Sequence, residues 1–517
     1  MSACVSIPTA FRAAVQAHAD APLVVTPEAQ HSFARIDAAS DAVAAALAAA
    51  GIVKGARIAL YCPNVVEFVI SYLGIVKAGA VVVPVNLLIQ PSEIRYVLED
   101  AAVRGVIYHA ALAEKVAAVR PELTTELYWV CIGDDPVENT DIQFDSLLSM
   151  DSPVPQPDLD PLQDLAAILY TSGTTGHPKG AMLTHNNLAS NTRSVKAALG
   201  LRAGEDRLLV VLPMFHSFAA TVGLLTPALH GLSMVPVIRF DPGLVSESIG
   251  LTGATVFLGV PSMYNLILRL ADEQASRWQS VRFGVAGGAA MPVELLQRFE
   301  QRFGFPIVEG DGPTECSPVT CVNPLEGERK PASVGLPVPD VAFAILDDAG
   351  AVLPEGEIGE ICVRGPNVMK GYWNQPEATA ETFCGDWLRT GDLGYIDADG
   401  YIFMVDRKKD MVIVNGMNVY PRMVEEVLYQ HPGILEAAVV GEPHGSHGEI
   451  VVAHVVAREG TELDDRALKA FCREQLGQHQ MPRRFVMHKS LPKNATGKIL
   501  KRELRRTGEI ERGIDAV

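Results

Sequence analysis

Tyr170-Thr-Ser-Gly-Thr-Thr-Gly-His-Pro-Lys-Gly180 is the stretch from which the rest of the chain can be read. Before it, Leu165-Ala-Ala-Ile-Leu-Tyr170 is a short apolar run of strand character. After it, a polar-flanked run from His185 has helical character. Between them, glycines and hydroxyl side chains crowd around Lys179. Glycines let backbone N–H groups close on an anion, hydroxyls add donors, and a lysine adds a point charge. The stretch predicts a loop that holds a polyphosphate. It is not a Walker A loop, because Gly180 rather than Ser or Thr follows Lys179 and the glycine spacing differs. Taken without its surroundings, the same composition also suits a flexible surface turn.

The length of 517 residues is too great for one core, so two or more domains are expected. With 43 Lys and Arg against 61 Asp and Glu, the formal net charge is −18. That balance argues against nucleic acid and anionic membrane as partners, and an anionic ligand then needs local positive charge, as at Lys179. No basic stretch followed by a long apolar run marks a signal peptide at the N-terminus. Ala42 to Val53 is apolar but alanine-dominated and too short to cross a bilayer, so it predicts a buried helix and no transmembrane segment. The cysteines are scattered without a C-x-x-C, the closest pair being Cys316 and Cys321, and a reduced cytoplasmic setting is expected.

Read in order, strands are predicted at Arg57–Tyr61, Ala80–Pro84, Arg104–Tyr108, Arg207–Leu212, Ser233–Pro236, Thr255–Gly259, Arg282–Ala286 and Pro306–Glu309. Helical runs, such as Val65–Lys77 and Pro91–Asp100, separate them. Strands apolar throughout and joined by helices indicate mainly parallel sheets covered on both faces. Their number exceeds one open sheet, so the fold class is α/β with two stacked αβ layers. The proline-rich, acidic run from Asp151 to Pro161 reads as a linker. From about 331 to 405, short strands alternate with turns such as Asp347-Asp-Ala-Gly350, which predicts a small antiparallel barrel-like unit. After Asp406-Arg-Lys-Lys-Asp410 a compact α+β pattern begins, with helices at Pro421–Tyr429 and Asp464–Leu476 and strands at Ala437–Gly441 and Ile450–Val456. The expected division is therefore a large N-terminal domain over 1–405, a connector over 406–410 and a small final domain over 411–517.

Further constellations follow. Glu309-Gly-Asp-Gly-Pro-Thr-Glu315 puts a hydroxyl and a carboxylate at the C-terminal edge of a predicted parallel strand, where ligands usually bind. A carboxylate there could hold Mg²⁺, which takes few protein ligands and keeps phosphate oxygens, but an acidic turn fits the spacing equally well. Arg389-Thr-Gly-Asp-Leu-Gly394 fixes Asp392 in a turn as an acceptor suited to a diol. Leu212-Pro-Met-Phe-His-Ser-Phe218 sets His216 among apolar residues, where a core histidine is the plainer reading. Gly284-Val-Ala-Gly-Gly-Ala-Ala-Met-Pro292 leaves room for a ligand above a strand end. Leu491-Pro-Lys-Asn-Ala-Thr-Gly-Lys-Ile499 carries Lys498 before a basic helix. His444, His447 and Glu449 lie in a loop and read as a surface turn rather than a metal site.

These segments, in this order and over nearly the whole chain, resemble the acyl- and aryl-CoA ligases of the adenylate-forming, luciferase-like superfamily. The resemblance implies a mobile final domain and a reaction in two halves, with ATP, Mg²⁺ and coenzyme A. A carboxylate forms acyl-AMP and pyrophosphate, and coenzyme A then displaces AMP. By position it implies that Thr171, Ser172, Gly173, Thr174, Thr175, Gly176 and Lys179 hold the phosphates. Thr314 then contacts the α-phosphate, while Thr171 and Glu315 serve the metal. Asp392 takes the ribose, Arg407 reaches its ribose or phosphate side, and Gly288, Ala289, Asp311 and Gly312 face the nucleotide. His216, Val260, Gly287 and Gly288 line the acid. Lys498 bridges the substrate carboxylate and the α-phosphate, Lys409 is the hinge, and Gly416 lets pantetheine pass. Asp311 stands where the family usually has an aromatic residue against adenine, so stacking is not expected here. The apolar Phe257–Tyr264 and Gly284–Met291 segments, with no arginine set to pair with a second carboxylate, favour a medium- or long-chain fatty acid. An aryl acid of the benzoate or cinnamate kind is the alternative, as is loading of a carrier protein. A homodimer is compatible with this reading.

Overall fold

The computed structural model describes residues 4–149, 152–171, 178–493 and 499–505. Among these the strands form four sheets, of nine, eight, five and five strands. In the first, Pro22–Val25, Ser233–Pro236, Arg207–Val210, Val256–Gly259, Phe283–Ala286 and Ile307–Asp311 run parallel side by side. In the second, Leu165–Thr171, Val81–Pro84, Arg57–Tyr61, Gly105–His109, Tyr128–Ile132 and Ile142–Gln143 do the same. One continuous apolar core contains residues of both sheets, among them Ile58, Val82, Leu208 and Val256, together with Phe68 and Tyr72 of the Val66–Lys77 helix. The two αβ layers expected from the apolar strands are thus stacked on one another.

Alanine content decides the helix contact in this core. A Cβ at Gly74 would come within 2.7 Å of Val43, so the Val66–Lys77 helix lies directly on the alanine-rich Phe33–Ala49 helix. That helix stops earlier than the apolar run predicts. Gly51 takes φ +78°, the left-handed conformation that ends helices, and Val53 is exposed rather than buried.

A strand that sequence reading passes over, Lys179–Thr184, lies antiparallel to Leu165–Thr171. Both described ends of the polyphosphate stretch are therefore strand, with Thr171 opposite Lys179. The barrel-like region is a five-stranded, largely antiparallel sheet whose last strand, Ile402–Arg407, extends into the first residues of the expected connector. Part of the same region leaves it: Gly371–Tyr372 pairs with Lys179–Thr184 at the edge of the second sheet. The last sheet is built on the long hairpin Ile434–His444 and Gly448–Ala457, with the Pro421–Tyr429 and Asp465–Arg473 helices contributing to the core on one face. No helix among the described residues is long and apolar enough to cross a membrane.

Candidate active site

The site grows from strand ends of both large sheets. Lys179 begins its strand, and its Nζ lies over the Tyr372 ring, 5.1 Å from the centroid. The Tyr372 hydroxyl donates to Glu315 Oε1 at 2.7 Å. Next to Glu315, the Thr314 and Ser217 hydroxyls are 3.2 Å apart. Lys179, Glu315, Thr314 and the segment bearing His216 thus converge, although 37 to 136 positions separate Lys179 from the others. Burial, and then the Glu315 carboxylate, raise the Tyr372 phenol well above its ordinary range, which keeps it a donor. The base of the loop is braced by Trp373, whose N–H donates to Gly180 O at 2.7 Å and whose indole donates to Asp100 O at 2.9 Å. The Tyr170 hydroxyl closes this brace on the Asp100 carboxylate at 2.5 Å. Ser172, Gly173, Thr174, Thr175 and Gly176 lie outside the described residues, as does Lys498.

Asp311 ends the Ile307–Asp311 strand, and its carbonyl accepts from the Thr320 N–H and hydroxyl, each at 3.0 Å. At Gly312 a Cβ would sit 1.6 Å from Pro318 O, so only glycine permits this chain crossing. Asp311, Thr320, Thr390 and Asp392 line one small cavity. Asp392 lies opposite Arg407 in the ladder, and Arg407 Nε donates to Asp392 Oδ1 at 2.9 Å. The Asp392 carboxylate, then burial acting the other way, dominate the surroundings of Arg407, and the net effect holds the guanidinium above its ordinary range.

The acid-lining candidates meet as well. A Cβ at Gly287 would be 3.2 Å from the Phe218 ring, and one at Gly288 would be 3.6 Å from Val260. Gly288 takes φ +76° and, with Ala289, is exposed at the turn. His216 is half-buried and accepts from the Phe218 N–H at a long 3.4 Å. Gly416 lies in an exposed turn at φ +79°. The neighbouring Asn415 is tied to His447 by its N–H at 2.9 Å and by its side chain at 2.8 Å. Lys409 is exposed between Asp406 and Asp410, which are both buried.

Sequence reading missed Tyr372, Trp373 and Ser217 as parts of this edge. The only local trace of the first two is the aromatic pair in Gly371-Tyr-Trp-Asn374, placed within a region otherwise read as barrel.

Residues 11–373 match the AMP-binding enzyme family model, and residues 423–498 match that of the AMP-binding enzyme C-terminal domain. A long-chain-fatty-acid–CoA ligase of Bacillus subtilis (strain 168) is 37% identical, covering 89% of this chain and 87% of that protein. A sulfoacetate–CoA ligase of Cupriavidus necator is also 37% identical, over 94% of each. Feruloyl-CoA synthase of an Amycolatopsis species is 37% identical over 89% of this chain and 90% of its own. Among solved structures, ATP-bound MatB from Rhodopseudomonas palustris superposes with TM-score 0.89 at 32% identity, covering 97% of this chain and 99% of its own. The apo form of the same protein gives 0.79 with the same coverage. An anthranilate CoA ligase bound to anthranoyl-AMP gives 0.91 at 28% identity over 99% of both chains. The chain belongs to the AMP-binding enzyme family and is an AMP-forming acid–thiol ligase. ATP and coenzyme A are the co-substrates expected of it.

Proposed function

We propose that this ligase activates a medium- or long-chain fatty acid as acyl-AMP and passes the acyl group to coenzyme A. The observation that carries the site assignment is the convergence of Lys179, Glu315 and Thr314 through Tyr372 and Ser217. The acid carboxylate attacks the α-phosphorus, the bond to the β-phosphate breaks, and pyrophosphate leaves. The coenzyme A sulfur then attacks the acyl carbon, and the acyl–phosphate bond breaks to release AMP. Neither half needs a covalent protein nucleophile, only positioning and charge stabilisation. In our assignment Lys179 and the loop 171–176 hold the phosphates, and Lys498 joins the acid carboxylate to the α-phosphate. Thr314 contacts that phosphate, Asp392 and Arg407 hold the ribose, and Asp311, Gly312 and the Gly288–Ala289 turn frame the base. His216, Val260 and Gly287 line the acid.

Glu315 and Thr171 present oxygen donors beside Lys179, the ligand type Mg²⁺ takes. Bound with the nucleotide there, the metal would offset phosphate charge. We read the final domain as hinged at 406–410 and as turning between the two half-reactions. A cytoplasmic location and a homodimer belong to the same proposal, checked by cell fractionation and sedimentation.

Feruloyl-CoA synthase and a Burkholderia xenovorans benzoate CoA ligase among the relatives give an aryl acid the second place. Loss of the free coenzyme A thiol, followed over fatty acids of increasing length, benzoate, ferulate and sulfoacetate, tests both. Highest kcat/KM on a fatty acid of eight or more carbons is expected; a higher value on an aryl or sulfonated acid overturns the fatty-acid assignment.

A further inference from the structure

Glu309 is an acid in the wrong place for an ordinary surface carboxylate. It is 3% exposed, near the end of the Ile307–Asp311 strand and directly opposite Ala286, the last residue of the neighbouring strand. Its Oε1 accepts from the Met291 N–H at 2.9 Å. Met291 closes the turn that starts at Gly287, so this bond holds the far end of the segment carrying Gly287, Gly288 and Ala289, while the Gly287 N–H donates to Gly259 O at 3.3 Å at its near end. The Glu309 carbonyl is occupied separately, accepting from the Asn323 N–H at 2.8 Å.

Compensating charge for Glu309 comes from another domain. Arg422, in the Pro421–Tyr429 helix, acts on Glu309 electrostatically, opposed by Glu426 of the same helix and by Asp311 of its own strand. Arg422 is itself anchored across the connector. Its Nη1 donates to Met404 O at 2.9 Å and its N–H to Asp406 Oδ2 at 2.7 Å, while Nη2 is buried without a hydrogen-bonding partner. A buried carboxylate is costly unless compensated; the Met291 N–H supplies part of the compensation here, and the part that comes from Arg422 depends on where the last domain sits.

We propose that Glu309 is a positioning residue, holding the Gly287–Met291 turn through Met291 N–H, and that Arg422 of the docked final domain sustains the charged form that holds it best. A rotation that withdraws Arg422 then loosens the turn after the first half-reaction. Burial already pushes Glu309 up to about 7, so the charged hydrogen bond is lost as pH falls through neutrality. The inference rests on the ligase reading for its consequence but not for its first test.

That first test needs no acid. Hydrogen exchange of the Gly287–Met291 peptide in the full-length enzyme is followed from about pH 5.5 to about pH 9, with rates corrected for intrinsic pH dependence. Protection rising through neutrality is expected in the wild type. Glu309→Gln, which keeps a carbonyl acceptor in the same place, should flatten the profile, and Arg422→Gln should move it upward by about one pH unit, a tenfold change in proton affinity. The second test is ATP–pyrophosphate exchange with decanoate and with benzoate. KM for the acid should rise about tenfold towards acid pH in the wild type and stay flat in Glu309→Gln, with kcat little changed. A wild-type profile in Glu309→Gln, or an unmoved one in Arg422→Gln, overturns the proposal. Pyrophosphate exchange with neither acid, beside the expected exchange profile, would instead count against the substrate reading alone.

Discussion

The Tyr372 hydroxyl donates to Glu315 Oε1 at 2.7 Å, and the face of the same ring lies 5.1 Å from Lys179 Nζ. One side chain therefore sets the spacing between a cation on a strand of the second sheet and an anion in the 3-10 turn that follows the Ile307–Asp311 strand of the first. Tyr372→Phe removes the hydrogen bond and leaves the ring under Lys179. A bond to a charged acceptor contributes about 1.5–3 kcal/mol, so adenylation should fall roughly tenfold to a hundredfold. Half-saturation by Mg²⁺ should move up with it if Glu315 serves the metal. Tyr372→Ala should lose more, since Lys179 then loses its support as well. Pyrophosphate exchange measured across Mg²⁺ concentrations decides, and a wild-type Tyr372→Phe would show that the bond does not orient the carboxylate.

Gly312 and Gly416 make a contrast between two kinds of glycine. A Cβ at Gly312 would collide with Pro318 O, a backbone atom that cannot swing aside. Gly312→Ala should cost about 1–3 kcal/mol of stability, as overpacking does, and displace Asp311 and Thr314 enough to weaken ATP binding. Gly416 has nothing within 4 Å of such a Cβ and only its φ of +79° to protect. Gly416→Ala should cost about 1–2 kcal/mol, the strain of a left-handed residue, and leave adenylation unchanged, with any loss confined to the coenzyme A half. Chemical denaturation together with the two half-reactions measured separately checks both.

How far the chain could be read before its structure depended on how local each feature is. Pro91–Asp100 was legible to the residue, because proline starts the helix and the apolar positions repeat along it. So was Arg57–Tyr61, a short apolar run with a clear beginning. Lys179–Thr184 was not, since a lysine and a glycine open it and it is a strand only because Leu165–Thr171 pairs with it. The same holds at the site. Lys179, Thr314, Glu315 and Asp392 announce themselves inside short motifs. Tyr372 matters through partners 57 and 193 positions earlier in the chain, and no local pattern carries that. Glu309 was quoted only as the start of a motif, because its burial and the approach of Arg422 are properties of the packed domains.

Acid should unfold the protein through its buried histidines. His185 accepts from the Ile7 N–H at 3.4 Å through Nδ1, which requires the neutral ring. Burial is the largest influence and lowers its pKa to about 4, with Asp164 acting in the opposite sense. The unfolded chain takes up this proton first, near the ordinary 6.5. The stability tied to neutral His185 is thus complete above about pH 6.5 and is lost progressively towards pH 4. His230 and His454 are lowered in the same direction, whereas Glu309, being raised, gains stability on protonation between about 4.5 and 7 and offsets part of the loss. His185→Gln should therefore flatten the acid limb by roughly 2–3 kcal/mol at most. Thermal unfolding of both proteins between pH 4 and pH 7 reads the difference, and parallel curves would exclude the assignment.

Lys498→Ala separates the two halves of the reaction. If this lysine neutralises charge only while acyl-AMP forms, that half should slow by about a hundredfold or more, the scale of losing one preorganised donor. Conversion of pre-made acyl-AMP to the thioester should change far less. Equal losses in both would make the effect structural.

Lys409→Pro tests why there is a final domain at all. In our assignment Lys498 sits at the phosphate during the first half and coenzyme A reaches the same acyl carbon in the second, so one group would have to make way for the other. The bonds around the connector show what a turn at its centre would have to break. Asp406, on the N-terminal side, accepts the Arg422 N–H at 2.7 Å, and Asp410, on the far side, is paired with Arg505 at 2.9 Å. Lys501, close behind Lys498 in sequence, is half-buried and pairs with Glu425 at 2.7 Å. Lys409 stands exposed between these two aspartates, so a change in its φ and ψ costs the Asp406–Arg422 bond but leaves the core of either domain in place. Proline there fixes φ near −65° and removes a donor. Adenylation should survive within about an order of magnitude while thioester formation from acyl-AMP falls much further, as happens when a conformational step gates one half only. Stopped-flow measurement of each half-reaction gives the answer, and near wild-type rates in both would place the pivot at another residue.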